Sequence, residues 1–155
     1  MSFVFSGLSV ADFQPLFTLS DESLLERQAF RYRVDGCPGF PCRITLDDAR
    51  PGETVLLLNF EHQPAATPYR SGHAIFVRES ARQAARFEDQ IPPALARRLL
   101  SVRAFDQGHM MVDADVADET GIRCLIQRLL SDPRAAYLHA HYARRGCFAA
   151  RIDRL

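Results

Sequence analysis

Between Tyr137 and Asp153 the chain reads YLHAHYARRGCFAARID, the densest set of reactive side chains in the sequence. His139 and His141 are two residues apart, and on an extended strand that spacing puts both imidazoles on one face. Two imidazoles so placed can ligate one metal ion, and imidazole suits zinc, nickel, copper or iron. Cys147 offers a third ligand to the set His139, His141 and Cys147, leaving the open position that catalytic sites keep. Cys147 beside His141 can instead form a thiolate–imidazole pair for covalent catalysis, with Arg145 or Arg151 as the charge that favours the thiolate. The ordinary alternatives are histidines hydrogen-bonded to Arg, Asp or backbone, and a cysteine packed as a small hydrophobe. HExxH and zinc-finger spacings are absent. The C-x4-C spacing of Cys37 and Cys42 fits neither a redox nor a zinc-knuckle pattern.

Arginine gives a second line of chemistry. Arg43 follows a loop stiffened by two prolines, Arg70 sits in PYRSG, and Arg103 and Arg151 fall on expected strands. A planar guanidinium captures carboxylate or phosphate with two parallel hydrogen bonds. Convergence of these arginines with His139 and His141 makes an anion site; pairing with Asp35, Glu61, Asp113 or Asp153 makes them structural ion pairs.

The elements that position these groups follow from pattern. Tyr137–Asp153 reads as a β-hairpin turning at Ala143-Arg144-Arg145-Gly146, with Gly146 as the left-handed residue. Pairing Ala143 with Cys147 sets Tyr142 against Phe148, His141 against Ala149, Ala140 against Ala150, His139 against Arg151 and Leu138 against Ile152. Leu138, Ala140, Tyr142, Phe148, Ala150 and Ile152 then form an apolar face. Tyr137, His139, His141, Cys147, Arg151 and Asp153 form the polar one.

Earlier in the chain, Ser20-Asp21-Glu22 opens a helix through Leu24 and Leu25. Phe30–Val34 alternates as a half-exposed strand, and Cys42–Leu46 alternates as another. Arg50-Pro51-Gly52-Glu53 matches a type II turn. Val55–Leu58 and Ala74–Val77 are strands, and Arg78–Gln90 is helical in part. Pro92-Pro93 opens a helix through Leu95, Leu99 and Leu100. Val102–Asp106 and Met110–Asp115 make a hairpin on Gln107-Gly108. Asp118–Leu130 is a helix with Ile122, Leu125, Ile126, Leu129 and Leu130 on one stripe, stopped by Pro133. Many short strands with scattered helices give an α+β fold. The expectation is a single compact domain over 1–155, with a mostly antiparallel sheet, a C-terminal β-hairpin and two or three helices.

With 155 residues, the chain buries enough surface to fold without disulfides or metal. Zero formal net charge argues against nucleic acid or an anionic membrane as partner. All nineteen basic residues are arginine, so no lysine-anchored cofactor and no P-loop lysine is available. The N-terminus lacks the features of a signal peptide, and no apolar run reaches the length of a membrane span. A cytoplasmic protein with four reduced cysteines is expected.

Five blocks carry a resemblance across essentially the whole chain: CPGFPCR (37–43), RPGETVLLLNFEHQP (50–64), PYRSGHAIFVRE (68–79), RAFD (103–106) and HAHYARRGC (139–147). Together they resemble the bacterial family known as domain of unknown function 1203. The resemblance implies a small stand-alone cytosolic protein and no assigned activity. The chain departs from the family pattern at Tyr142, where Asn is expected, and at Cys37. A Cys37–Cys42 partnership is therefore not the family's shared feature.

Two functional expectations follow. One is a small-molecule site for an anionic ligand, catalytic or purely binding, on the polar face of the hairpin. His139, His141, Arg151, Arg43 and Arg70 hold the ligand there, and His141 and Cys147 are the candidates for chemistry. Its cofactor stays open, zinc or another transition metal included. The other is a non-enzymatic interaction or oligomerisation domain, such as a homodimer, using the same face as a polar interface. An enclosed pocket around the histidines favours the first, and a flat exposed face the second.

Overall fold

The computed structural model describes residues 1–155. The strands are β1 (Phe3–Ser6), β2 (Phe30–Arg33), β3 (Thr54–Gln63), β4 (Ser71–Arg78), β5 (Arg86–Glu88), β6 (Leu100–Phe105), β7 (Met111–Ala117), β8 (Tyr137–Tyr142) and β9 (Phe148–Arg154). The helices are α1 (Gln14–Phe17), α2 (Asp21–Glu26), α3 (Pro93–Ala96) and α4 (Ile122–Ser131). The fold is α+β, with antiparallel pairing throughout both sheets and the hairpin β8–β9 at the C-terminus. There are four α-helices where two or three were expected, because α1 and α3 are single turns of four residues.

A six-stranded sheet has the order β5-β1-β9-β8-β6-β7, and a three-stranded sheet the order β2-β3-β4. One face of the larger sheet is apolar. Leu138, Ala140 and Tyr142 from β8, Val102 and Ala104 from β6 and Ile152 from β9 pack there with the stripe Ile122, Leu125, Ile126 and Leu129 of α4. The smaller sheet buries Leu56, Leu58, Ile75 and Val77 with Phe13 and Leu24 from the N-terminal helical segment. Between the sheets, the far ends of β3 and β4 lie over the polar face of β6, β8 and β9.

Several local expectations change. α4 starts at Ile122, because Asp118 Oδ1 accepts from the backbone of Thr120 and Gly121 at 2.9 and 3.2 Å and so holds a turn ahead of it. Arg78–Gln90 contains no helix: its apolar stripe is thin, and its Ala85 backbone is bonded to Ile44 and Gly7 beside β5. The helix from Pro93 ends at Ala96, and Leu100 already belongs to β6. Cys42–Leu46 is a turn rather than a strand, so Cys42, Arg43, Ile44 and Leu46 are all buried instead of alternating. In β2 the alternation is inverted. Phe30 and Tyr32 are exposed, while Arg31 turns inward to Asp21 and Glu79.

The hairpin register matters most. Leu138 pairs with Ile152, His139 with Arg151 and Ala140 with Ala150, as counted from the sequence. Between Ala140 and His141 the pairing slips, and His141 faces Phe148 rather than Ala149. One extra residue in β9 makes a bulge. Ala149 joins Ala150 in the core, and Phe148 crosses to the histidine side. Cys147 thereby leaves the face of His141 and lies opposite Tyr142, whose N–H donates to its carbonyl at 2.9 Å.

Candidate functional site

Four of the five histidines, His62, His73, His139 and His141, form one imidazole–aromatic layer between the sheets, and His109, exposed in the β6–β7 turn, touches its edge at Tyr137. β8 presents His139 and His141, which are 3% and 1% exposed. His62 near the end of β3 and His73 in β4 reach them from the smaller sheet. His62 packs edge-on to His141 with ring centroids 5.0 Å apart, and His73 does so at 5.3 Å. Phe148, delivered by the bulge, stacks flat on His62 at 4.8 Å and edge-on against His139 at 5.1 Å. His109 meets the Tyr137 hydroxyl at 2.8 Å, and Gln63 Nε2 donates to the same oxygen at 2.8 Å.

Hydrogen bonding within the layer is incomplete. His62 Nε2 and His73 Nδ1 share a proton at 2.7 Å. His141 Nδ1 lies 3.0 Å from the Gly146 carbonyl, so it carries the proton, donates, and leaves Nε2 bare. Nδ1 of His62 and Nδ1 of His139 are buried without any partner. Burial pushes His62 down to about 4 and His139 and His141 to about 3, with nearby positive charge, Arg103 above all for His141, acting in the same direction. His73 is lowered for the same reasons. The layer is a set of neutral imidazoles. Arg103 shares its face, opposite His139 in register, and its sole side-chain hydrogen bond runs to Ser101 Oγ at 3.4 Å.

Next to this layer is a cavity of about 840 Å³, within the range of small-molecule pockets. His73 belongs to both. The rest of the lining comes from the Gly39–Arg43 loop, Leu57 of β3, Ala74 and Phe76 of β4, Arg97–Leu99 after α3, and Tyr142 with the β8–β9 turn. Its charged groups are Arg43, Arg97, Arg98, Arg144 and Arg145, and no carboxylate lines it. Behind the wall, Asp48 binds Arg98 at 2.7 Å and Arg97 at 3.1 Å with no exposure of its own side chain. Desolvation pushes the Asp48 carboxyl up, but hydrogen bonds from Arg98, Gly39 and Arg97 outweigh it and keep the group ionised.

Arg43 is 1% exposed and has no carboxylate partner. Its Nε donates to the Phe148 carbonyl at 2.7 Å, one Nη to the Pro41 carbonyl, and the other to Cys147 Sγ at 3.1 Å. The Tyr142 ring lies 4.9 Å from the Arg43 guanidinium and 5.2 Å from that of Arg98. Its hydroxyl is buried with no hydrogen-bond partner, and burial pushes its pKa up to about 12.

The residues singled out from the sequence therefore separate into three groups. Arg43 and Cys147 line the arginine cavity. His139 and His141 lie in the adjoining layer, with no hydrogen bond from His141 to Cys147, so the third imidazole partners are His62 and His73 instead of the thiol. Arg70 and Arg151 take the ion-pair alternative: Arg70 pairs with Glu61 at 3.2 Å, and Arg151 pairs with Asp153 at 2.8 Å while stacking over Tyr137. His62, His73, Tyr142 and the arginines at 97, 98 and 144 were not foreseen as site residues, and Arg145 was foreseen only as a charge beside the Cys147 thiol. His62 and His73 lie within the blocks 50–64 and 68–79, but nothing in spacing brings β3 and β4 over β8.

No curated protein and no solved structure matches the chain. A family model does, over residues 39–154, a span that includes every residue of the cavity and of the imidazole layer. The chain thus belongs to the family described as "Protein of unknown function (DUF1203)".

Proposed function

We propose that the protein binds a small anionic molecule, a phosphate or carboxylate compound, in the arginine cavity beside the imidazole layer. The observation that carries this reading is the lining itself: five arginines line one cavity with no carboxylate in the wall. In a chain of zero net charge such a concentration has no counterpart in composition, and a low-dielectric concave wall focuses its field on an entering anion. Arg43 is the fixed element, held by carbonyls of two separate segments. Arg144 and Arg145 are exposed at the rim with no ion-pair partner and are free to close on the ligand. The protonated Tyr142 hydroxyl supplies a neutral donor. The burial of His139 and His141 speaks against a flat, exposed polar interface on that hairpin face.

A thermal-shift panel of phosphate, pyrophosphate, citrate and small mono- and dicarboxylates tests this. A ligand at 100 times its Kd adds about 2.7 kcal/mol, roughly 5–10 °C for a domain of this size. The double variant Arg144→Ser/Arg145→Ser removes two exposed, unpaired side chains and should keep its unliganded Tm while losing most of the shift. No response to any anion in the panel, or a response the double variant retains in full, refutes the reading.

A further inference from the structure

We propose that His62, His73 and His141 form a binding site for a divalent first-row transition metal, with a fourth position left to an exogenous anion. One ligand nitrogen from each of the three lies within 4.8 Å of the other two. They come from three strands of two different sheets, an arrangement that sequence spacing alone does not produce. The donor set is all imidazole, which selects zinc, cobalt, nickel, copper or iron(II) and not magnesium or calcium.

Orientation supports the assignment. The Gly146 carbonyl fixes His141 Nδ1 as the protonated nitrogen and turns Nε2 into a free lone pair, the second-shell pattern of metal-bound histidine. His62 meets His73 at 2.7 Å, whereas two nitrogens on one tetrahedral zinc are about 3.3 Å apart, from Zn–N of roughly 2.0–2.1 Å. Opening this pair by about half an ångström exchanges one hydrogen bond for two coordination bonds. His73, which is partly exposed, lines the cavity and gives an ion its way in. His139, the fourth imidazole of the layer, is outside the trio.

Charge decides the fourth ligand. Three neutral imidazoles leave a bound ion at +2, Arg103 stands on the same face, and the layer holds no carboxylate. Water can fill the fourth position, but the uncompensated charge favours an anion there, and the arginine cavity opening at His73 is where it would be drawn from. On this last point alone the inference rests on the anion reading above.

The test uses the full chain, made without a histidine tag and stripped with chelator. Titration with Co²⁺, followed by its visible absorption, and with Zn²⁺, followed by calorimetry, should each give one equivalent. His73→Ala sits at a partly exposed position and should lower affinity at least 100-fold with an unchanged circular dichroism spectrum. His62→Gln and His141→Gln should do the same, while His139→Phe should stay within about threefold. Absence of stoichiometric uptake, or uptake that survives His73→Ala, overturns the site. Phosphate shifts measured on the stripped protein test the cavity separately, so either reading fails without the other.

Discussion

Tyr142 illustrates how a single side chain can be better placed for a ligand than for stability. Its hydroxyl is buried and unbonded in the free protein, and an unsatisfied buried hydroxyl costs about 1–3 kcal/mol. Tyr142→Phe keeps the ring between Arg43 and Arg98 and removes the orphan. Urea denaturation should therefore show the variant more stable by about 1 kcal/mol, and anion titration should show it weaker in binding. A destabilised Tyr142→Phe would mean that the hydroxyl has a partner. Asp48 is the opposite case, since it holds Arg97 and Arg98 in the wall. Asp48→Asn strips a charge from a buried pair, and such a loss costs about 3 kcal/mol; the stability deficit and a loosened cavity should appear together. At this scale the sequence announced Arg43 as a rigidly mounted guanidinium. It gave no sign that the loop following Pro41 would bury the whole side chain, because Cys42–Leu46 alternates like a strand and the turn that replaces it is fixed by backbone bonds to Phe76, Asp47 and Ala85.

The hairpin shows what was legible in elements and what was not. Its turn, the positive-φ glycine and the pairing from Leu138 to Ala140 followed from period-two alternation and turn chemistry. The bulge did not, because the extra residue is Ala149, between Phe148 and Ala150, and it changes no propensity: an alanine fits either face. Yet that slip exchanges Phe148 for Cys147 beside His141, and with it the chemistry of the face. β2 misled for another reason. As an edge strand it meets water with Phe30 and Tyr32, while the ion pairs of Arg31 take the inner side. The turn itself makes a testable claim. Gly146 has φ of 77° and open space where a Cβ would stand, so Gly146→Ala meets only the left-handed backbone penalty, about 1 kcal/mol. Gly146→Asn should recover most of that loss in thermal denaturation, because Asn tolerates the region. Equal losses for Ala and Asn would place the strain elsewhere.

Across the whole molecule, the larger sheet is sealed on one side by α4 in an ordinary apolar core, and on the other it meets the smaller sheet through imidazoles. That second contact makes stability depend on pH in a definite direction. His139 and His141 titrate near 3 and His62 near 4 in the folded chain because burial penalises their charged forms, against about 6.5 when unfolded. Above pH 7 both states carry neutral imidazoles and stability is level. Below about 6.5 the unfolded chain takes up protons that the native chain refuses, so native stability falls until the folded values are reached. Each buried imidazole contributes a slope of up to about 1.4 kcal/mol per pH unit in that window. Glu53 adds to the loss only later. Desolvation raises its pKa, but Arg78, the Arg50 N–H and Ser80 outweigh that and hold it at about 2, so its contribution is present above about 4.5 and disappears between there and 2. Urea midpoints of the metal-free chain should therefore be constant from pH 8 to 7 and decline from about 6.5, two units before carboxylates alone would act. His139→Phe should reduce the slope by one proton's worth between pH 6 and 4. A profile level down to pH 5 would mean that the imidazoles are open to water, and the two sheets would then have to be joined by something other than this neutral layer.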